Sequence, residues 1–231
     1  MIIRKTNVAR RRRAPARRVA RAEPEPARPA GKVRLREEFR EYARASILEA
    51  AEQVLADQGL HTARIEEMAR KARVAVGTIY NLIGDRDALV VEILKLRHQE
   101  VLSLLGSTLE AARCQPFRAQ AERMVVALSG YLREHWGFLR VIMESETGPA
   151  CSHKRVSQDT RAEVLRLHRE LIARGIRERV LRADGRELYP VMLMSMVRGA
   201  LIHDMETDYA GSAEERAAQI IDLFIHGAGL K

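Results

Sequence analysis

The sequence predicts an all-α protein. Apolar residues recur at three- and four-residue steps through stretches spanning residues 36 to 228, and short breaks at Gly59, Gly106, Pro116, Thr147-Gly148-Pro149 and Ala183-Asp184-Gly185 separate those stretches. The chain has 231 residues, 46% of them hydrophobic and 4% aromatic, which suffices for one or two globular domains with a packed core. No apolar run reaches the roughly 18 residues of a membrane span, and the amino terminus lacks the apolar centre of a secretory signal. A cytoplasmic location with no membrane partner is therefore expected. Cys114 and Cys151 make neither a disulfide framework nor a metal-ligand cluster.

Residues 1–35 read as a basic disordered arm. Residues 1–36 hold 13 Lys and Arg against 2 Glu, a balance of +11, whereas residues 37–89 carry −3 and residues 90–231 carry +1. Pro15, Pro24, Pro26 and Pro29 interrupt an Ala- and Arg-rich segment without apolar periodicity, so nothing offsets the entropy of ordering it. Arg10, Arg11, Arg12, Arg13, Arg17 and Arg18 then supply a field that attracts a polyanion. A solvated tail, or an extension from a misassigned start, is the alternative.

A helix is expected from about Arg36 to Gln58, its stripe formed by Phe39, Ala43, Ile47, Ala50, Ala51, Val54 and Leu55 and its stop at Gly59. Two short periodic runs follow. Ile65, Met68, Ala69 and Ala72 mark one buried face, and Val76, Ile79, Tyr80 and Ile83 mark a second. About three residues separate them, a link that suits the crossed helices of a helix-turn-helix. Gly77 opens the second helix and lets a sugar-phosphate backbone come close, while Thr78, Tyr80 and Asn81 offer hydroxyl and amide groups to phosphates and base edges. Double-stranded DNA is the expected partner.

The run V-x-V-G-T-I-Y-N from Val74 to Asn81, followed by Arg86-x-Ala88-Leu89 and preceded by Ile65-x-x-Met68-Ala69-x-x-Ala72, resembles the amino-terminal domain of the TetR/AcrR family of bacterial transcriptional regulators. The likeness begins at Ile47-Leu48-Glu49-Ala50-Ala51 and continues through Gly59 to Leu89, roughly a fifth of the chain. It implies an amino-terminal three-helix domain with a helix-turn-helix at residues 36–89, followed by a helical ligand-binding and dimerisation domain at residues 90–231. It further implies a homodimeric repressor that binds a palindromic operator and is released by a small-molecule effector, with no enzymatic activity, cofactor or metal. Contacts to DNA are expected from Arg36, Arg40, Arg64, Arg73, Val76, Gly77, Thr78, Tyr80, Asn81 and Arg86. Arg44 reads equally as a neighbour of the DNA or as an exposed, salt-bridged residue. Ala63 and Ala75 stand where the family places capping hydroxyls, with Thr62 as a substitute cap. Arg73 stands for the turn glycine, Val76 for a common lysine, Ile83 for an aromatic residue and Arg86 for lysine. A left-handed backbone at Arg73 would cost about 1 kcal/mol.

Beyond Asp85, which can cap a helix start, a long helix is expected to Ala112 with Leu89, Ile93, Leu96, Val101, Leu104 and Leu105 inward. Helices over residues 117–134, 135–145 and 157–180 follow. The segment 188–205 is apolar nearly all round, and residues 213–228 carry a bundle-like stripe. Together these two predict a four-helix interface between subunits through Met192, Met196, Gly199, Ile220, Ile221, Phe224 and Ile225; closure of a monomeric core is the alternative. An effector pocket is expected among Tyr131, Trp136, Arg140, Met143, Glu144, Met194 and Arg198, where aromatic, soft or charged groups interrupt apolar stripes, although core filler and surface groups are the plainer roles for several of them.

Two other classes remain open. A helical dimer acting through protein contacts would account for the departures at Ala63, Arg73, Ala75 and Val76. His203-Asp204, with His168 and Asp208, faintly matches the metal-dependent histidine-aspartate phosphohydrolases, but only the dipeptide of that ordered ligand set is present. No Gly-rich phosphate loop, H-E-x-x-H helix or G-x-S-x-G elbow occurs.

Overall fold

The computed structural model describes residues 30–147, 152–207 and 209–228, and among these the chain forms nine α-helices. In order they are α1 (Ala30–Gln58), α2 (Ile65–Lys71), α3 (Val76–Leu82), α4 (Arg86–Ala111), α5 (Phe117–Glu134), α6 (Trp136–Thr147), α7 (Ser152–Arg177), α8 (Tyr189–Glu206) and α9 (Ala213–Ala228). The chain divides into residues 1–38 and 39–231. In the first unit the described part is the opening of α1, where Arg34 Nε donates to Glu38 Oε1 at 3.0 Å one turn later. Residues 30–35, assigned above to the arm, are helical, because no proline falls within α1 and Ala30, Lys32, Arg34 and Leu35 favour the helix. The arm arginines from Arg10 to Arg18 lie outside the described residues, as do Cys151 and the Gly148-Pro149 break.

The second unit is built on α4. That helix packs against α7 and α5, α5 packs against α9, and α7 packs against α8. One continuous core runs from Ile47 and Ile79 through Phe117 and Phe138 to Leu171 and Phe224. Gly175 lets α7 lie close to α5: a methyl group there would sit 2.8 Å from Phe117 Cδ2 and from Leu181 Cδ1. Tyr189 meets Phe224 edge-on at 5.8 Å, which locks α8 to α9.

Two inward expectations are corrected. Phe39 is 71% exposed and the buried stripe of α1 begins only at Ile47, because the first turns of the helix lie beyond the core. Leu96 also faces outward, its place in α4 taken by Val90 and Leu94.

The helix ends follow local chemistry. Asp85 caps α4 by accepting the Ala88 N–H at 2.8 Å. The carboxyl end of α2 closes as a Schellman motif: Arg73 N–H donates to the Arg70 carbonyl at 3.2 Å, and Val74 N–H to the Ala69 carbonyl at 3.0 Å. Arg73 sits at φ 57°, the left-handed position that glycine fills without strain. The end of α7 repeats this with Arg179, also at φ 57°, and a Val180 N–H bond to the Gly175 carbonyl at 2.9 Å. Arg73→Gly and Arg179→Gly are each expected to raise stability by about 1 kcal/mol in urea unfolding. Only the first should also weaken DNA binding.

Candidate nucleic-acid interface

α2 and α3 pack on each other across the four-residue turn Ala72–Ala75. α2 places two acids, Glu66 and Glu67, in its first turn and two bases, Arg70 and Lys71, in its last, so its charges oppose its dipole at both ends. That arrangement compensates for the missing caps: neither Arg64 before α2 nor Ala75 before α3 provides a side-chain cap, and Thr62 does not replace them.

Helix α3 has one side in the core and one side outside. Ile79 is fully buried, and Val76, Leu82 and Ile83 pack around it. On the opposite side Gly77, Tyr80 and Asn81 are exposed, Tyr80 by 53%, and Thr78 is half-buried. A side chain added at Gly77 would meet no protein atom within 4 Å, so the protein interior does not require glycine there. Arg64 and Arg73 are exposed beside it in sequence, and Arg40 is exposed on α1. Arg36 is exposed in the first unit.

Two arginines hold this surface from behind. Arg44 donates from Nη1 to the Leu82 carbonyl at 2.9 Å and clasps Glu92 with its Nε and Nη2, the latter at 2.6 Å. One guanidinium thereby ties α1, the end of α3 and α4 together. Of the two readings of Arg44 from sequence, the salt-bridged one describes its contacts. Arg86, expected at the DNA, turns inward instead: Nε donates to the Ala63 carbonyl at 2.8 Å and Nη2 to the Leu60 carbonyl. Its five donors suit the unsatisfied carbonyls of the turn between α1 and α2, which the sequence alone gives no reason to place within reach.

Behind the reading helices lies a buried polar junction. Arg97 of α4 donates to Glu52 of α1 at 2.7 Å and to Glu100 at 2.7 Å, while the Tyr131 hydroxyl donates to Glu100 Oε2 at 2.8 Å. Burial opposes the charge on Arg97, but the hydrogen bonds it donates to Glu100 and Glu52 outweigh it and its pKa is raised. Burial and the bond to Glu100 raise that of Tyr131. At the next turn α6 rests on α1. Arg140 donates from Nη1 to the Ala56 carbonyl at 2.7 Å and from Nε to Glu144 at 2.9 Å, and Glu144 accepts the Leu60 N–H at 2.5 Å. Gly137 makes the approach possible, since a methyl group there would collide with the Glu52 carbonyl oxygen.

A cavity of about 80 Å³ lies between α4, α5, α6, α7 and α8. Met194 and Arg198 line it, as expected of them. Tyr131, Trp136, Arg140, Met143 and Glu144 are not in its wall: Tyr131, Arg140 and Glu144 belong to the junctions just described, Trp136 borders a groove beside Glu49 and Gln53, and Met143 packs against the core. The helical period turns them away from the cavity, whose wall comes from Phe138, Leu139 and Ile142 on the same helix. Ser157, Thr160 and Arg161 of α7 were missed. They share one helical face with Val164, a polar interruption in a buried stripe that the spacing does show.

The residues expected between subunits are also revised. Ile220, Ile221 and Phe224 are buried against their own chain, mainly on α5, whereas Ile225 and Met196 are partly buried. The outward apolar positions of α8 and α9 include Met192, Gly199, Met205 and Leu223, with Leu188 just before α8. The histidine-aspartate reading loses its geometry. Asp204 pairs with Arg216 at 2.6 Å, and His168 Nδ1 meets the Val164 carbonyl at 2.9 Å with its pKa lowered by burial. Asp208 lies outside the described residues, and among those described no three His, Cys, Asp or Glu side chains could share a metal. Among them, too, no helix is long and apolar enough to cross a membrane.

A short helix buried along one edge, exposed along the other and braced at its end defines a DNA-binding protein of the helix-turn-helix class. Residues 47–93 match the family described as bacterial regulatory proteins, tetR family. That match covers the helix-turn-helix segment, through which the chain resembles transcriptional regulators of that family. It is 22% identical over 179 residues to an uncharacterised HTH-type transcriptional regulator, YhgD, of Bacillus subtilis (strain 168), covering 78% of this chain and 92% of that one. Its fold is similar to the TetR-family regulator PfmR from Thermus thermophilus, at TM-score 0.65 and 20% identity over 80% of this chain and 98% of that one. It is likewise similar to the transcriptional regulator FadR from Bacillus subtilis in complex with stearoyl-CoA, at TM-score 0.65 and 14% identity over 79% and 98%.

Tyr80→Ala is expected to weaken operator binding by about tenfold or more, the scale of one lost good contact. Its unfolding midpoint should stay within about 0.5 kcal/mol of the parent because the side chain is on the surface. Fluorescence anisotropy with labelled duplex and thermal melts measure the two separately.

Proposed function

We propose that this protein is a homodimeric repressor that reads a palindromic operator with two copies of α3 and releases it when a small molecule enters the cavity between α4 and α8. The observation that carries this is the outward edge of α3, where Gly77, Tyr80 and Asn81 meet solvent while Ile79 anchors the helix from behind. Gly77 admits a phosphate, Thr78 and Tyr80 offer hydroxyls, and Asn81 presents an amide suited to an adenine edge. Arg40, Arg64 and Arg73 supply phosphate contacts, and Val76 contributes apolar contact. Arg36 of the first unit is proposed as a further phosphate contact. Residues 37–89 carry a balance of −3, so the arm, with its arginines at 10–13, 17 and 18, supplies the long-range attraction.

The dimer reading rests on α8 and α9, through Met192, Gly199 and Leu223 rather than the buried Ile220, Ile221 and Phe224. Two half-sites one helical turn apart, about 34 Å, then match two reading helices. The effector reading is supported by the cavity. The FadR structure with stearoyl-CoA illustrates that this fold accommodates an acyl ligand.

The coupling runs through α6. Its Phe138, Leu139 and Ile142 form cavity wall, while its Gly137, Arg140 and Glu144 press on the carboxyl end of α1 and the turn behind it. A ligand that moves α6 therefore moves the support of the reading helices, and the two binding equilibria change each other by about 1 to 3 kcal/mol.

Selection of the full chain against a random duplex library tests the reading. An inverted repeat is expected, and recovery of no enriched sequence would sink it. Deleting residues 1–29 should weaken binding to the selected duplex and flatten the slope of log affinity against log salt, because fewer counterions are released. An unchanged slope removes the arm from the account. Replacing Arg140 and Glu144 together by Ala should leave operator affinity within about threefold and reduce the effector's influence on it by at least fivefold.

A further inference from the structure

The wall of the cavity is apolar except along one side. Leu128, Leu132, Phe138 and Val164 represent the apolar part; Ser157, Thr160 and Arg161 from α7 and Arg198 from α8 make the polar part. Positions 157, 160, 161 and 164 follow helical spacing, so the three polar residues share one face of α7 with Val164. Thr160 Oγ1 donates to the Val156 carbonyl at 2.8 Å. Ser157 has no such outlet. It is 3% exposed, and its buried Oγ has no hydrogen-bond partner. A hydroxyl in apolar surroundings without a partner is unfavourable, and one in a cavity wall points to a partner that the chain itself does not contain.

The arginines give that partner its sign. A guanidinium stays charged at every physiological pH and presents five donors in a planar fork. Arg161 is exposed and Arg198 half-buried, which sets the charge at the mouth and the apolar wall inside. Both already interact within the chain, so an incoming anion joins or exchanges with those contacts. Size limits the other end. A cavity of about 80 Å³, about half the volume that takes a benzene ring, encloses only a short run of carbons.

We propose, building on the effector cavity proposed above, that the ligand is a short-chain anionic amphiphile. Its short hydrocarbon chain runs into the space between Leu128, Phe138 and Val164. Its acyl oxygen accepts the Ser157 hydroxyl, and its anionic group meets Arg161 and Arg198. Binding involves no covalent step.

Isothermal titration calorimetry of the full chain with octanoate, octan-1-ol, octanoyl-CoA and palmitate tests this. Octanoate or octanoyl-CoA is expected to bind about tenfold or more tighter than octan-1-ol, the scale of a charge-assisted contact. Either one supports the class, and the tighter of the two names the free acid or the thioester as its source. Arg198→Met, with Arg161→Met as a second variant should the first not fold by circular dichroism, should remove that preference and leave octan-1-ol unchanged. Ser157→Ala should weaken the acyl ligands about threefold and spare the alcohol. Octan-1-ol binding as tightly as octanoate, or both falling together in Arg198→Met, overturns the head-group assignment while the effector cavity stands. Palmitate binding tighter than octanoate overturns the chain length. Absence of binding by all four, at millimolar ligand, overturns the effector cavity itself.

Discussion

A seven-residue helix has no stability of its own in water, because the cost of nucleating it exceeds what so few hydrogen bonds return. α3 is such a helix, and one edge of it must stay bare to meet DNA. Its position therefore depends on what holds the other edge. Ile79 fills the core, and Arg44 takes the Leu82 carbonyl at the helix end while Glu92 of α4 fixes Arg44 in turn. The bond to Glu92 is charge-assisted and two-pronged, which fixes direction as well as distance. A reading surface made this way is exposed without being loose.

The same economy governs α6. A helix of twelve residues offers two faces about half a turn apart, and both are used. Residues 137, 140 and 144 fall on the face against α1, and residues 138 and 142 fall on the face against the cavity. Glycine at 137 brings two backbones into contact, so displacement of α6 has no soft side chains to absorb it there. Arg97, with Glu52, Glu100 and Tyr131, adds a second tie between α1, α4 and α5 in which Arg97 and Glu52 are largely removed from water and must keep each other. The cavity and the helix-turn-helix thus share supports instead of being joined by a linker.

Much of this was legible in the residues. The apolar steps around Ile65, Met68, Val76 and Ile79 located both short helices, Asp85 located the start of α4, and α9 has the bounds its stripe suggests. The left-handed turn at Arg73 was foreseen from the glycine it stands for. Less legible was which neighbour each face meets. The stripe Ile220, Ile221 and Phe224 reads equally well as an interface or as core, and packing on α5 makes it core. Arg86 and Arg140 look like surface cations until the carbonyls of Leu60, Ala63 and Ala56 are brought beside them. The spacing shows Ser157 only as a polar interruption of a stripe; that its hydroxyl is left without a partner emerges only from its surroundings.

By itself, the order of residues determined the helical class and the helix-turn-helix, because periodicity and turn chemistry are local and act within a few residues; its spacing put Tyr80 on the apolar face of α3, whereas Tyr80 is 53% exposed. The tertiary structure alone decided which arginines brace the fold, which side of α6 borders the cavity and which stripe of α9 is interior. Those outcomes depend on pairs such as Arg44 with Glu92, Arg97 with Glu52 and Glu144 with Leu60, which lie 45 or more residues apart. No short-range rule couples them, and only the closing of the bundle sets the distances at which a charge finds a partner or a hydroxyl is left without one.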